Sequence, residues 1–375
     1  MRIAMDTYYL QAIFIAVVIS IVFSRNKKID LFPLIAVGIW LVGVCAIYYK
    51  YGSDQGSFYS NDQDVHLIFI NGYIENEGFN FGSIIPLRYL ITYPTFLLSK
   101  VGFSEILILK TIQILSYIGI YFKSKKILSS QGFPFKYWYF AFIASPLILF
   151  FSFLALRDLT LALLTISFVF ESKFQRRAVF ALLIFLLKPH LVTALLFGIL
   201  ALFLFRMLRT KFDLFASILF LVASYFLGSV SYSVGAYFKD GFFPGLPIGL
   251  LTQAKISQIT LNFSGLQFFS LINDEGSVVA ESVGFLLLAR ILLFDTFLIP
   301  ITFVVVCVFF LRRLRGAAFV ILTSFVFYLG LVSQTDFNST RQNIPFLAAM
   351  GIVAVVNIEA AKNNRRENSL SHHEQ

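Results

Sequence analysis

The tripeptide Lys188-Pro189-His190 interrupts an otherwise apolar run from Ala178 to Phe205. A cation, a helix breaker and an imidazole occupy its middle. Other short runs repeat the anomaly. "LALRDLT" holds Arg157-Asp158, "ARILLFDT" holds Arg290 and Asp295, "QTDFNSTRQN" holds Asp336 and Arg341, and "PLRYL" holds Arg88. Ionisable groups at membrane depth cost several kcal/mol unless they are paired or solvated. The cations Arg88, Arg157, Lys188, Arg290 and Arg341 therefore read together as one water-accessible, anion-binding cavity. A local ion pair between Arg157 and Asp158 is the structural reading of part of the same set. The planar fork of Arg matches diphosphate oxygens, and Lys adds a point charge.

An acidic set complements the basic one. The stretch "YGSDQGSFYSNDQDVHLIFINGYIENEGFNFG" carries Asp54, Asp62, Asp64, His66, Glu75 and Glu77. Asp62-Gln63-Asp64 is a D-x-D match. Its readings are a general base on a sugar hydroxyl, a Mg²⁺ or Mn²⁺ site bridging phosphates, or solvated loop carboxylates. No other metal-ligand spacing is present. His190, beside Lys188, is the third candidate base, with a hydrogen-bonded structural role as its plainer reading. Asp64 also precedes a short apolar stretch, residues 65–75, and suits the N-cap of an interfacial helix.

These residues need a scaffold, and composition says which. Hydrophobic residues make up 58% of the 375, charged residues 13%, and Phe alone numbers 46. Mean hydropathy is +0.82. Soluble domains run nearer 45–50% apolar and about 25% charged. Several apolar runs reach the roughly 20 residues that cross about 30 Å of hydrocarbon. The expectation is an all-α polytopic membrane helix bundle forming a single domain over 1–360. Cys45 and Cys307 read as free thiols, and the first span as a retained helix rather than a signal peptide.

Basic clusters orient the chain. Arg25/Lys27/Lys28, Lys123/Lys125/Lys126, Lys173/Arg176/Arg177, Arg206/Arg209/Lys211, Arg312/Arg313/Arg315 and Lys362/Arg365/Arg366 all fall between apolar runs or just after one. The positive-inside bias puts them in the cytoplasm. They are too short and scattered for a nucleic-acid face. With these loops inside, spans fall at 8–24, 31–49, 104–122, 137–155, 158–172, 178–188, 190–205, 214–229, 291–311, 316–334 and 342–359. That is about eleven transmembrane helices, with the N-terminus outside and the C-terminus inside. Two large extracytoplasmic loops result, about 50–103 and 230–290. Residues 84–103 are expected to lie at or dip into the outer surface, broken at Pro86 and Pro94. The tail 361–375 is polar and reads as a disordered cytoplasmic segment. Residues 178–205 are too few for two full crossings and a turn, so at least one helix there is a partial span ending at Lys188-Pro189-His190. Broken backbone at that depth is tolerated where it lines a cavity or is buried in protein.

The order of segments resembles a known family. An acidic D-x-D/H loop is followed by "IIPLRYLITYPTFLLSKVGF", then "ASPLILFFSFLALRDLTLALLTISFVFES", "FLLKPHLVTALL" and "TRQNIPFL". This resembles bacterial polysaccharide repeat-unit polymerases of the Wzy and EpsG type, which make O-antigen and capsule polymers. It is also similar to multi-span glycosyltransferases of the GT-C fold. The resemblance covers roughly residues 50–205, with 335–350 adding the last Arg. It implies an enzyme of the bacterial inner membrane that acts on its periplasmic side. Its substrates would be undecaprenyl-diphosphate-linked oligosaccharides, transferred with inversion. A flippase and a chain-length regulator are the implied protein partners, and no organic cofactor is expected. Arg157, Lys188, Arg290, Arg341 and Arg88 would hold the diphosphate, and Asp62, Asp64 or His190 would take the acceptor proton. The second large loop departs from the pattern, offering Lys239 and Lys255 where such polymerases carry an Arg-rich stretch. Transfer of a single sugar from a polyprenyl-linked donor is the alternative activity, and transport of an anion or polysaccharide the alternative class.

Overall fold

Asp30 shows how a helix starts in this chain. Its side chain accepts the Phe32 N–H at 3.3 Å and so caps α2 (Leu31–Tyr51). The helix closes at Gly52, where φ of 58° puts the backbone in the left-handed region that glycine adopts without strain. The computed structural model describes residues 2–24, 30–52, 66–68, 70–71, 89–137, 139, 143, 146–207, 214–240, 315–332 and 340–373. Among them there is helix and no strand. α1 (Arg2–Ser24) precedes α2. Then come α3 (Tyr89–Ser99), α4 (Glu105–Ser130) and α5 (Pro146–Phe150), which runs into a 3₁₀ turn at Phe151–Phe153. They are followed by α6 (Asp158–Phe170), α7 (Phe174–Leu187), α8 (Pro189–Met207), α9 (Leu214–Asp240), α10 (Arg315–Val332) and α11 (Thr340–His373).

Among the described residues, five stretches are long and apolar enough to cross a membrane: Thr7–Ser24, Leu31–Tyr51, Glu105–Ser130, Pro189–Met207 and Ile344–Asn363. Shorter apolar stretches are Leu90–Ser99, Asp158–Phe170, Ile218–Ser231 and Gly316–Leu331. The chain is a membrane-embedded all-α bundle. The expected span 291–311 lies outside the described residues.

Burial sorts the helices into layers. α6 is central and packs against α4, α7 and α11. Leu159, Leu161, Ala162 and Ile166 of α6 are fully buried, as are Ile352 to Val356 of α11. α1 and α8 instead expose apolar rows, Leu10, Phe14 and Val17 on one and Leu196, Leu200 and Phe203 on the other. In a bilayer these rows meet acyl chains rather than water. α10 packs against both α8 and α9. The α9–α10 contact is close: a Cβ on Gly228 would overlap the Phe327 carbonyl oxygen, and one on Gly330 the Tyr225 carbonyl oxygen. Ser229 Oγ donates across it to the Gly330 carbonyl at 3.2 Å. Small residues that let backbones approach are how helices associate in lipid.

Four sequence expectations change. Residues 84–103 are not broken at Pro94, because α3 runs through it. Thr95 Oγ1 donates to the Ile91 carbonyl at 2.7 Å, re-using a nearby backbone acceptor where the proline has no N–H. α3 buries one face, Ile91, Thr92, Thr95 and Phe96, and leaves Leu97 and Leu98 exposed. The described part of 137–155 is not one span: α5 gives way to the 3₁₀ turn, and Leu154 is extended. The Trp40 indole N–H donates to the Ser152 carbonyl at 3.1 Å, occupying an acceptor that a continuing helix would need. Finally, α9 runs to Asp240, past the expected end at 229, and α11 stays helical to His373 through the segment read as disordered. Ala360, Ala361 and Lys362 are good helix formers and carry α11 onward.

Candidate anion-binding site

α6 and α7 are too short to cross. Their 13 and 14 residues rise roughly 20 Å each against about 30 Å of hydrocarbon. They share the charged turn Glu171–Lys173, which belongs at a hydrocarbon boundary. Helices of that length starting at one boundary would end, at Asp158 and Leu187, roughly 10 Å short of the other.

Arg157 precedes α6 with φ −120° and ψ 0°, and its carbonyl accepts the Leu161 N–H at 3.0 Å. Its side chain reaches across: Nη1 donates to the carbonyl oxygen of Leu187, the last residue of α7. Terminal carbonyls of a helix lack intrahelical partners, and a cation there also meets the negative end of the helix dipole. One guanidinium thus joins two recessed helix ends.

The next residue breaks the helix. Lys188 has φ −158° and ψ 89°, with its N–H donating to the Ile184 carbonyl at 2.7 Å. Pro189 then opens α8, at the position where a missing N–H costs least. Lys188 Nζ lies 5.3 Å from the ring centroid of Tyr328 on α10. Tyr328 in turn packs on Phe346 of α11, centroids 5.4 Å apart. His190 is exposed in the first turn of α8, and the charges of Lys188 and Arg157 both act on its imidazole.

The fold therefore brings Arg157, Lys188 and His190 to one place. Arg341 belongs to the start of α11, roughly 7.5 Å along the helix from Phe346; its side chain is outside the described ones. Asp62, Asp64, Arg88 and Arg290 lie outside the described residues. No group of three or more His, Cys, Asp or Glu that could hold a metal ion occurs among the described residues.

A buried polar layer supports this end of the bundle. Gln113 of α4 accepts the Leu159 N–H at 3.1 Å and donates to Thr160 Oγ1 at 3.2 Å. Ser116 meets the same hydroxyl at 3.0 Å. Asp158 is buried. One helical turn from Gln113 on the same face of α4 lies Lys110, 0% exposed. Lys110 is missing from the candidate cations read from the sequence. The signal was there, since it is the sole charged residue of α4 between Glu105 and Lys123.

The far end of α4 carries different chemistry. Asp30 accepts from Tyr121 Oη at 2.5 Å and Lys125 Nζ at 2.8 Å. Burial raises the Asp30 pKa, but the bonds from Lys125, Tyr121 and the Phe32 N–H outweigh it and hold the carboxyl below its ordinary value. Glu359 pairs with Lys136 at 3.3 Å and Lys362 at 3.1 Å. Gln113 and Lys125 are roughly 18 Å apart along α4. The ion pairs and the Arg157–Lys188 cations thus occupy opposite ends of the bundle.

Comparison with family models finds no match, and neither do comparisons with curated proteins or with solved structures. The fold and the site define the class by themselves: a membrane-embedded helical bundle with a basic, recessed break between helices.

Proposed function

We propose that the protein is a bacterial inner-membrane polymerase. It would join undecaprenyl-diphosphate-linked oligosaccharide repeat units into a surface polysaccharide on the periplasmic side. The observation that carries this is that Arg157 and Lys188 both lie at the break between α7 and α8, in an apolar helical bundle. A basic site between apolar helices suits an anion tethered to a lipid better than one free in water. The basic clusters Lys123–Lys126 and Lys173–Arg177 support a cytoplasmic placement for the opposite end, which leaves the Arg157 end facing outward.

The chemistry is a displacement at the anomeric carbon of the donor. The acceptor hydroxyl attacks, its oxygen bonds to that carbon, and the bond from carbon to the diphosphate oxygen breaks. Asp62, Asp64 or His190 takes the acceptor proton. Arg157 and Lys188, with Arg88, Arg290 and Arg341, stabilise the charge that builds on the leaving diphosphate. A Mg²⁺ or Mn²⁺ ion at Asp62 and Asp64 would add to that stabilisation.

Reconstitution with purified lipid-linked repeat unit tests the reading. A ladder of polymer with release of undecaprenyl diphosphate is expected. Addition of one unit only would replace the polymerase by a single-sugar transferase. Passage of the lipid-linked substrate across the vesicle without any transfer would make the protein a carrier. Loss of activity in EDTA, restored by Mn²⁺ or Mg²⁺, would assign Asp62 and Asp64 to a metal.

A further inference from the structure

Two basic clusters, Lys123–Lys126 of α4 and Lys173–Arg177 at the start of α7, meet at the end of the bundle opposite Arg157. Lys123 Nζ lies 5.9 Å from the ring centroid of Phe180 on α7, and the charges of Glu171, Lys126 and Arg176 all act on it. Two of the six cations in these clusters have structural work. Lys125 Nζ holds Asp30 at 2.8 Å. Arg177 closes α6: its Nε donates to the Phe168 carbonyl at 3.2 Å, and its Nη2 to the Glu171 carbonyl. Lys123, Lys126, Lys173 and Arg176 remain. Among the described residues none of these four makes an ion pair.

Two features point to an anion. Lys123, Lys126 and Arg176 repel one another, and gathering like charges costs energy unless an opposite charge offsets it. The carboxylate among them, Glu171, turns its Oε1 to the backbone, accepting the N–H groups of Ser172 and Lys173 at 3.1 and 3.2 Å. The second feature is the direction of α7. A helix dipole favours negative charge at the N-terminus. Yet the first turn of α7 holds no acidic residue, and Lys173 at its N-cap makes no side-chain cap bond. An anion there would meet first-turn N–H groups as well as the cationic side chains.

The surroundings say which anion. α7 leaves its cations as an exposed apolar row, Val179, Leu182 and Phe185, and α4 exposes Leu115 and Phe122 below Lys126. In a bilayer these rows meet acyl chains. A headgroup phosphate joined to such chains uses both the cations and the rows, whereas a free anion uses the cations alone. Clustered Lys and Arg at the ends of membrane helices attract anionic lipids.

We propose that this α4–α7 end of the bundle is a binding site for an anionic phospholipid, whose headgroup phosphate is held by Lys123, Lys126, Lys173 and Arg176. The site is separate from the Arg157 turn and does not depend on what that turn binds.

Native mass spectrometry of the purified full-length protein in neutral detergent measures the binding. Dioleoylphosphatidylglycerol is titrated against dioleoylphosphatidylcholine, which has the same chains and no net charge. Phosphatidylglycerol is expected to bind about tenfold or more tightly. Lys126→Gln and Arg176→Gln, both at exposed positions, should each weaken it about fivefold, and the double variant about 25-fold. Lys100→Gln, at an exposed lysine of the other end, should leave it unchanged. The single variants carry the test if the double one does not fold. Equal binding of the two lipids overturns the proposal, as does unchanged phosphatidylglycerol affinity in the Lys126 and Arg176 variants or an equal loss in Lys100→Gln. Inorganic phosphate at the lipid's concentration should not displace the lipid; displacement would make this a free-anion site and overturn the lipid assignment.

Discussion

Arg157 has two tasks that pull its substitutions apart. Its charge serves the anion site, and its Nη1 holds the Leu187 carbonyl at the end of α7. Lys keeps the first and gives up the fork geometry of the second. Arg157→Ala loses both and is expected to lower transfer by about two to three orders of magnitude, the cost of one preorganised donor to a developing anion. Arg157→Lys should recover part of that, and Lys188→Ala should match Arg157→Ala. Rates are read as polymer formed per mole of folded protein. Equal rates for Arg157→Ala and the unmodified protein would remove Arg157 from the site. The sequence made Arg157, Lys188 and His190 legible because each is a polar residue in an apolar run. Lys110 is legible in the same way, as the sole charged residue of α4 between Glu105 and Lys123. Nothing in the sequence marks the Arg157–Leu187 bond, since that joins a side chain to a backbone oxygen thirty residues away.

At the scale of elements, short helices set the depth of the site and close helix contacts hold it there. The break at Lys188 was legible, because Pro189 cannot continue a helix and 178–205 is too short for two crossings. The turn at Phe151–Phe153 was not legible, because nothing in "PLILFFSFLAL" marks a stop; the Trp40 bond imposes it from another helix. The straight passage of α3 through Pro94 was missed for a similar reason, with Thr95 bonded to a backbone carbonyl beside the gap. The α9–α10 contact carries the next prediction. Gly228 and Gly330 each leave room for a carbonyl of the other helix, and Tyr328, which backs Lys188, lies two residues before Gly330. Gly228→Leu should force α9 away from α10, lower the melting temperature in detergent by several degrees and reduce activity with it, an overpacking cost of about 1–3 kcal/mol. Gly38→Leu is the control, since a Cβ there meets nothing within 4 Å. Equal melting of the two variants would show that the close approach is not needed.

Across the whole molecule, the ion pairs and the recessed cations divide the work. At one end Asp30 ties the start of α2 to the far end of α4. Because its folded pKa lies below the unfolded value of about 3.9, its contribution is present above that pH and lost as pH falls through the folded pKa. Thermal stability in detergent should therefore fall on acidification below about pH 4, and Asp30→Asn should already be less stable at pH 7 and show a smaller acid-linked loss. An unchanged melting curve for Asp30→Asn at pH 7 would show that the pairing adds nothing.

The other end must admit water and favour anions, and both demands can be read from one position. His190 is exposed beside Lys188, in the first turn of α8, so a cysteine there reports on the cavity. Cys45 and Cys307 would first be replaced by Ser, and Ser172→Cys, exposed in the charged turn at the opposite end, serves as the reference. In right-side-out spheroplasts, small methanethiosulfonates should modify His190→Cys and leave Ser172→Cys intact. The sulfonate-bearing reagent should react faster than the ammonium-bearing one, on the order of tenfold at low salt, because two neighbouring cations concentrate anions. Adding Arg157→Ala should shrink that preference, and raising the ionic strength should weaken it as screening takes over. Modification of Ser172→Cys in place of His190→Cys would invert the orientation. Equal rates for the two reagents at His190→Cys would remove the anion site itself, whatever the orientation.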